Sequence, residues 1–394
     1  MSVKVDPNLM KDLEAFGLKD AGKCFHCGNC TAICPLSTKE NPFPRKLVKY
    51  AQMGLKDKIL KSPEPWLCYY CGDCSTNCPR GADPGETMMV MRRYLTSLYD
   101  WTGFSRKFYL SEKFELTAVA VMGLLVGLGM LLLAGEFNTS RVDLEAAWPV
   151  EGMEIFDMIM ATTLTFLLLS NVWRCVKIIM GELLTKIPLN LYVSEAKELV
   201  IHFLTQKRFG QCSDRTQWFI HLLIMTGYTT VFLLVVIFLA GGLKTLGIYS
   251  ESIAFQRSEP YPFWHPMRLL GYYATIAILL GVGYAIIGRI RKSKPPYKNS
   301  HPTDWVFLVL LALTTLTGIS LHCAVHFGLP IFAYSIYIIH MMVAVPMLVL
   351  EVPFAKWAHL AYRPVVVYLI RVKERYLLSQ GAADADQGVA ATEG

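Results

Sequence analysis

The stretch CFHCGNCTAICP, residues 24–35, returns with different filler as CYYCGDCSTNCP at residues 68–79. Each run reads C-x2-C-x2-C-x3-C-P. Three closely spaced thiolates on one loop can meet three corners of an iron–sulfur cubane, while the fourth is carried away by the turn and serves a second cluster. The ruler therefore has to appear twice. The spacing predicts one [4Fe-4S] cluster on Cys24, Cys27, Cys30 and Cys78, and another on Cys68, Cys71, Cys74 and Cys34. Structural zinc also uses C-x2-C pairs, but it needs only four ligands and rarely takes four from a single loop. Gly28 and Gly72 suit a close backbone approach to sulfide, and Pro35 and Pro79 stiffen the exits.

Eight of the eleven cysteines lie in these runs. Of the other three, Cys212 is unpaired in sequence, and Cys175 and Cys323 read as small buried apolar residues. Between the runs, Leu47, Val48, Ala51 and Leu55 fall near helical spacing with Gly54 as a breaker, and GETMMVMRRYL after the second run also reads as helix. Two copies fall short of the three repeats a solenoid needs. Residues 1–105 are thus expected to form a small helical domain with two clusters. No apolar h-region precedes it, which places it in the cytoplasm.

Beyond it the chain changes solvent. Of all 394 residues, 53% are apolar, and the mean hydropathy of +0.37 is too high for an ordinary soluble protein. Six apolar spans stand out, at roughly 116–134, 155–178, 218–240, 269–287, 305–327 and 331–352, each near the 20 or so residues that cross a bilayer. With the N-terminus inside, Lys186, Lys197, Lys207, Arg208, Arg215, Arg289, Arg291, Lys292, Lys294 and Lys298 fall in inner connections. Only Arg141, Lys244 and Arg257 fall in outer ones, so the cytoplasmic membrane with both termini inside is the expected topology. This asymmetry accounts for the net charge of +7 without nucleic acid. The fold class is all-α: the two-cluster domain, a six-span bundle over 106–378, and a small, polar, disordered tail over 379–394.

Ionisable residues within spans are functional candidates. Neutral imidazoles from different helices suit axial ligation of haem iron, and the absence of C-x-x-C-H points to b-type haem. The step from His340 to His359 is about 28 Å along a straight helix, which predicts two stacked haems. His221 pairs with His359 on the inner side; His322 and His326 compete for His340, with His322 closer to its level. Their side-chain directions on an ideal helix disagree, so Pro346 or Pro353 is expected to disturb it. His202, His265 and His301 are read as non-ligands, and His326, Tyr334, Tyr337 and Arg268 as candidates for a quinone pocket near the outer haem.

The first hundred residues resemble the small iron–sulfur subunit of heterodisulfide reductases, with both cysteine runs and PWLCYYCGDC in place. The remainder resembles the membrane cytochrome b of those complexes and, more distantly, the gamma subunit of respiratory nitrate reductases, whose last-span histidine and terminal basic motif are matched by His340 and PFAKWAH ending at His359. Val231 stands where the nitrate reductase gamma chain has its second early-span histidine. The fusion order resembles the membrane subunit of the quinone-interacting membrane-bound oxidoreductases of sulfate-reducing bacteria. That resemblance implies menaquinol as donor, flavin-containing cytoplasmic partner subunits, and adenylylsulfate reductase as downstream acceptor. Disulfide-reducing cysteine modules and nucleotide fingerprints are absent from the sequence. The rivals are a quinone reductase running in the opposite direction and a redox-silent anchor carrying only the clusters. A transporter fits less well, since no repeat of interrupted spans appears.

Overall fold

The computed structural model describes residues 4–234 and 262–390, and all regular structure among them is helical. Two compact units emerge. The first comprises the chain up to Arg106 together with Leu169–Trp218 and everything from Ala358 onward, so it extends well past residue 105. The helix between the cysteine runs, α1 (Arg45–Gln52), buries Leu47, Val48 and Ala51 completely, as their spacing predicts. It stops at Gly54, whose φ is +67° and where a Cβ would lie 2.4 Å from the carbonyl oxygen of Asp6. Only glycine accepts both conditions. The helix after the second run, α2 (Pro84–Tyr99), starts on Asp83, whose carboxylate accepts from the Glu86 N–H.

Around Trp66 the rings of Tyr99 and Tyr362 gather with centroids 6.2 and 5.0 Å away. Tyr362 belongs to a late helix, α10 (His359–Ala390), which packs on α5 (Leu189–Thr205). There the buried Glu195 carboxylate receives Arg375 Nε at 3.1 Å and Arg371 Nε at 3.7 Å. The backbone of α10 runs to Ala390, into the stretch that composition reads as a disordered tail.

The second unit comprises Lys107–Leu168 and Phe219–Trp357. Five helices among the described residues are long and apolar enough to cross a bilayer, which marks a multi-pass membrane protein. They are α3 (Glu112–Leu132), α4 (Val150–Met180), α7 (Pro266–Arg291), α8 (Pro302–His326), and α9 (Pro330–Pro346) with its continuation to Phe354. The expected third span, 218–240, begins within α6 (Arg215–Leu233) and ends outside the described residues, as do Lys244 and Arg257. With no hydrophobic drive between helices in lipid, close backbone approach supplies the packing. On α3, a Cβ at Gly123 would lie 2.7 Å from the Met342 carbonyl oxygen, and one at Gly127 2.7 Å from the Met342 sulfur. Gly227 of α6 and Gly281 of α7 are filled reciprocally by Ile278 and Ile224.

After Pro346 the helix widens into a π turn, Met347–Glu351, because proline deprives the preceding turn of a donor. A short Val352–Phe354 turn follows, and Ala355 at φ −116°, ψ −145° breaks the helix. The disturbance expected at Pro346 is present. The straight-helix distance between His340 and His359 therefore does not apply. The π turn buries Glu351 beside Glu115 of α3, each without exposure.

Gly123→Leu should destabilise the membrane unit by about 1–3 kcal/mol, read as a lower Tm in detergent. Gly129→Leu, with nothing within 4 Å of its Cβ position, should leave Tm unchanged.

Candidate metal centre

The repeated ruler produces a repeated backbone. Cys24 and Cys68 are both extended, at φ −74°, ψ 125° and φ −71°, ψ 135°. Two residues on, His26 and Tyr70 take positive φ of 62° and 56°. Gly28 and Gly72 follow at φ +90° and +92°, opening the one-turn helices Asn29–Ala32 and Asp73–Thr76. The left-handed residues turn backbone donors inward: His26 N–H reaches Cys24 Sγ at 3.4 Å and Tyr70 N–H reaches Cys68 Sγ at 3.3 Å. Such non-glycine strain persists where a site requires it, and N–H donors to sulfur are what an iron-bound thiolate needs. Asn29 Nδ2 donates to the Asn77 carbonyl at 2.7 Å, joining the two loops.

The fourth cysteine of each run stands with the other run. Cys30 has Cys24, Cys27 and Cys78 as its electrostatic neighbours, while Cys34 has Cys68 and Cys71. Cys74 lies among Cys68, Cys71 and Cys34, with Cys30 a weaker influence. Burial, and then these like-charged neighbours, push Cys30 and Cys74 upward and Cys34 up to about 12. Thiols so crowded do not ionise at neutral pH unless a cation takes the place of the protons, and iron is such a cation. Among the described residues no three His, Cys, Asp or Glu side chains close round one point as a single ion requires. A cubane spreads its thiolates over separate corners, and the donor set fits that group.

The two sets differ in surroundings. Around the first, Cys27 and Phe25 are exposed. Gln52 of α1 holds the loop, its Oε1 accepting from His26 Nε2 at 2.6 Å and its Nε2 donating to the Ala21 and Cys24 carbonyls at 2.8 and 3.1 Å. The second set is covered by chain from far away. Arg363 of α10 is buried, donates to the carbonyls of Trp66 (3.1 Å) and Cys68 (2.9 Å), and lies 4.3 Å from the Tyr69 ring centre. Arg92 of α2 donates to the Pro65 carbonyl at 2.6 Å. Phe209 stacks on Tyr69 with centroids 4.7 Å apart, His202 meets the Tyr69 hydroxyl at 3.2 Å, and Cys212 neighbours Cys71. Arg363 escapes the reading of the sequence, which leaves His202 a non-ligand and Cys212 unassigned. Their shared signal is polarity within otherwise amphipathic or apolar stretches, and the contact spans 295 residues in the case of Arg363.

In the membrane unit, His340 Nδ1 is bonded to Thr317 Oγ1 at 2.9 Å, and a Cβ on the adjacent Gly318 would sit 3.3 Å from the imidazole. That arrangement fixes the ring and leaves Nε2 for a ligand role, the usual orientation of a metal-bound histidine. His340 thus lies level with Thr317, more than a turn from His322 on α8. His322 Nε2 is bonded to the Tyr272 hydroxyl at 2.9 Å, so a haem at that nitrogen would have to displace Tyr272. His326 is exposed, its ring parallel to His322 at 6.5 Å. His221 and His359 are half-buried, on α6 and at the start of α10. His265 and His301 cap α7 and α8, accepting from Met267 and Thr303 N–H groups. Cys175 is buried as expected, whereas Cys323 is exposed on the outside of its span.

Of the quinone-pocket candidates, Tyr334 and Tyr337 are buried in an aromatic core with Trp148. Tyr334 holds the connection before α4, accepting from Asp143 N–H at 3.2 Å and donating to the Asn138 carbonyl at 3.1 Å. Arg268 is buried near His322.

The profile of the 4Fe-4S dicluster domain family matches residues 20–82. A protein of Archaeoglobus profundus described as similar to the C subunit of heterodisulfide reductase is 33% identical over 97 residues, 24% of this chain and 52% of its own length. The C subunit of the H(2):CoB-CoM heterodisulfide,ferredoxin reductase of Methanothermobacter thermautotrophicus is 36% identical over 64 residues, 16% of this chain and 34% of its own. The iron-sulfur C subunit of the CoB–CoM heterodisulfide reductase of Methanopyrus kandleri is 36% identical over 44 residues, 11% of this chain and 23% of its own. The chain spans about half the length, or less, of the curated relatives it matches. No solved structure matches it. The cysteine-rich segment thus matches an iron–sulfur dicluster domain.

Burial, and then Arg363 and Arg208, hold His202 down to about 4. Between that value and the ordinary one near 6.5 the unfolded chain binds the extra proton, so stability is full above about 6.5 and falls with pH toward 4. In thermal melts of the holoprotein from pH 7 to 5, His202→Gln should flatten this dependence, which is worth about 2 kcal/mol over that range in the wild type.

Proposed function

We propose that this chain is the membrane electron-transfer subunit of a quinone-linked respiratory oxidoreductase, with the iron–sulfur domain facing cytoplasmic flavin-containing subunits. Cys24, Cys27, Cys30 and Cys78 hold one [4Fe-4S] cluster, and Cys68, Cys71, Cys74 and Cys34 the other. His221 with His359, and His340 with His322, are the axial residues for two b haems. Bound there, these groups supply the one-electron carriers among which the two electrons of a quinol are divided.

The observation that carries the reading is the cover over the second thiol set. The connection between the second and third spans supplies Phe209, Cys212 and Ser213, and the segment after the last span supplies Arg363. A passive anchor would not need to build its connections into the site. The first set, by contrast, leaves Cys27 and Phe25 open to a partner. Menaquinol as donor and adenylylsulfate reductase as final acceptor rest on the fusion order alone. The lysine and arginine asymmetry supports a cytoplasmic-membrane protein with both termini inside.

The residues of this chain hold, orient and shield. Thr317 fixes the His340 ring, the loop N–H groups bond the cysteine sulfurs, and the buried guanidinium of Arg363 offsets negative charge near Cys68. The reading is tested by a reduced-minus-oxidised spectrum of the purified full-length protein with menaquinol as reductant. Two b haems per chain, one of them lost in His340→Ala, are expected; a well-folded preparation without haem leaves the redox-silent anchor as the function. Menaquinone reduction by the reduced complex, without the reverse reaction, would turn the direction round. Crossed ligation makes a separate prediction: Cys34→Ser should remove the electron paramagnetic resonance signal of the second cluster, and Cys78→Ser that of the first.

A further inference from the structure

Five thiols, rather than four, surround the second cluster position. Cys212 lies on the connection Gln206–Asp214, is 3% exposed, and has the Cys71 thiol as its leading electrostatic neighbour. Cys68 and Cys34 are its other electrostatic neighbours. The connection is pinned on both sides of Cys212. Phe209 stacks on Tyr69 and its carbonyl accepts the Cys212 N–H at 3.0 Å. Ser213 Oγ donates to Asp73 Oδ1 at 2.6 Å, and the other oxygen of that carboxylate is 3.4 Å from Cys71 Sγ. The placement of Cys212 is therefore built by neighbours independent of the thiol pair itself.

The first loop has no counterpart. Its equivalent of Cys71 is Cys27, which is exposed, and its equivalent of Asp73 is Asn29, whose amide is spent on the Asn77 carbonyl. The two loops share their backbone but differ at this one sulfur.

We propose that Cys212 is a positioning residue that sets the second cluster apart electronically, its S–H donating to the Cys71 thiolate while Cys71 holds iron. The inference rests on the reading of Cys71 as an iron ligand. An iron-bound thiolate has no proton to give, and a buried neutral thiol keeps its own, so the donor direction runs from Cys212 to Cys71. A hydrogen bond to a cluster sulfur withdraws electron density and favours the reduced cluster. The Asp73 carboxylate acts in the opposite sense on the same sulfur, and Ser213 takes up part of its charge. The connection thus bears on Cys71 through two adjacent residues, and electrons are held more readily at the covered cluster than they would be on the shared backbone alone.

The test is a redox titration of the full-length protein followed by electron paramagnetic resonance, with iron counted on each preparation. In Cys212→Ala the midpoint of the second cluster should move to more negative potential, with the first cluster unchanged and the iron content of the wild type retained. Cys212→Ser, which keeps an O–H donor and nearly the same volume, should recover part of the shift and stands in if the alanine variant fails to fold. An unmoved midpoint, or an equal movement of both clusters, overturns the proposal. So does loss of one cluster's iron in either variant, since Cys212 would then be a ligand. Wild-type protein without two cluster signals would defeat the parent reading, and this inference with it.

Discussion

The two cysteine runs of this chain answer to one geometric demand: four thiolates must reach four corners of a cubane, and a loop of this spacing can deliver only three. The fourth has to come from elsewhere. The solution is a pair of loops that exchange their last cysteines, which obliges them to lie side by side. Asn29 reaching the Asn77 carbonyl, and α1 buried between the runs, are the means by which that proximity is held. The helix ends at Gly54, where no other residue fits against the Asp6 carbonyl.

Duplication of the ruler did not produce duplicate environments. The local backbone is closely similar at the extended cysteine, the left-handed residue and the glycine. Beyond the loops the two halves part: one sulfur group keeps an open face, and the other is enclosed by Arg363, Arg92, Phe209, His202 and Cys212. Two sites of one ligand type can hold electrons with different ease when burial, charge and hydrogen bonds to sulfur differ. Those are the three quantities that separate these loops.

The cysteine runs, the helix over Leu47–Ala51 and most of the spans could be read from sequence because each depends on residues close together along the chain. Arg363, His202 and Cys212 could not, because their meaning arises from partners more than a hundred residues away, and nothing in a local pattern marks a lone arginine after a span as a clamp. The histidine geometry shows a second limit. Depth reckoned along a straight helix from His340 to His359 fails at the π turn after Pro346 and the break at Ala355, where a backbone irregularity changes both rise and direction. Tyr334 and Tyr337 show a third: an aromatic at a span end reads equally as pocket or core, and no local pattern reveals that Trp148 and Asp143 are their neighbours.

Arg363 grips carbonyls laid down almost at the start of the chain. During synthesis the second cysteine loop therefore precedes this clamp by 295 residues. The cover from Arg92, His202 and Phe209 can be made earlier in the chain, whereas the share contributed by Arg363 and Tyr362 cannot form until the spans between have been synthesised.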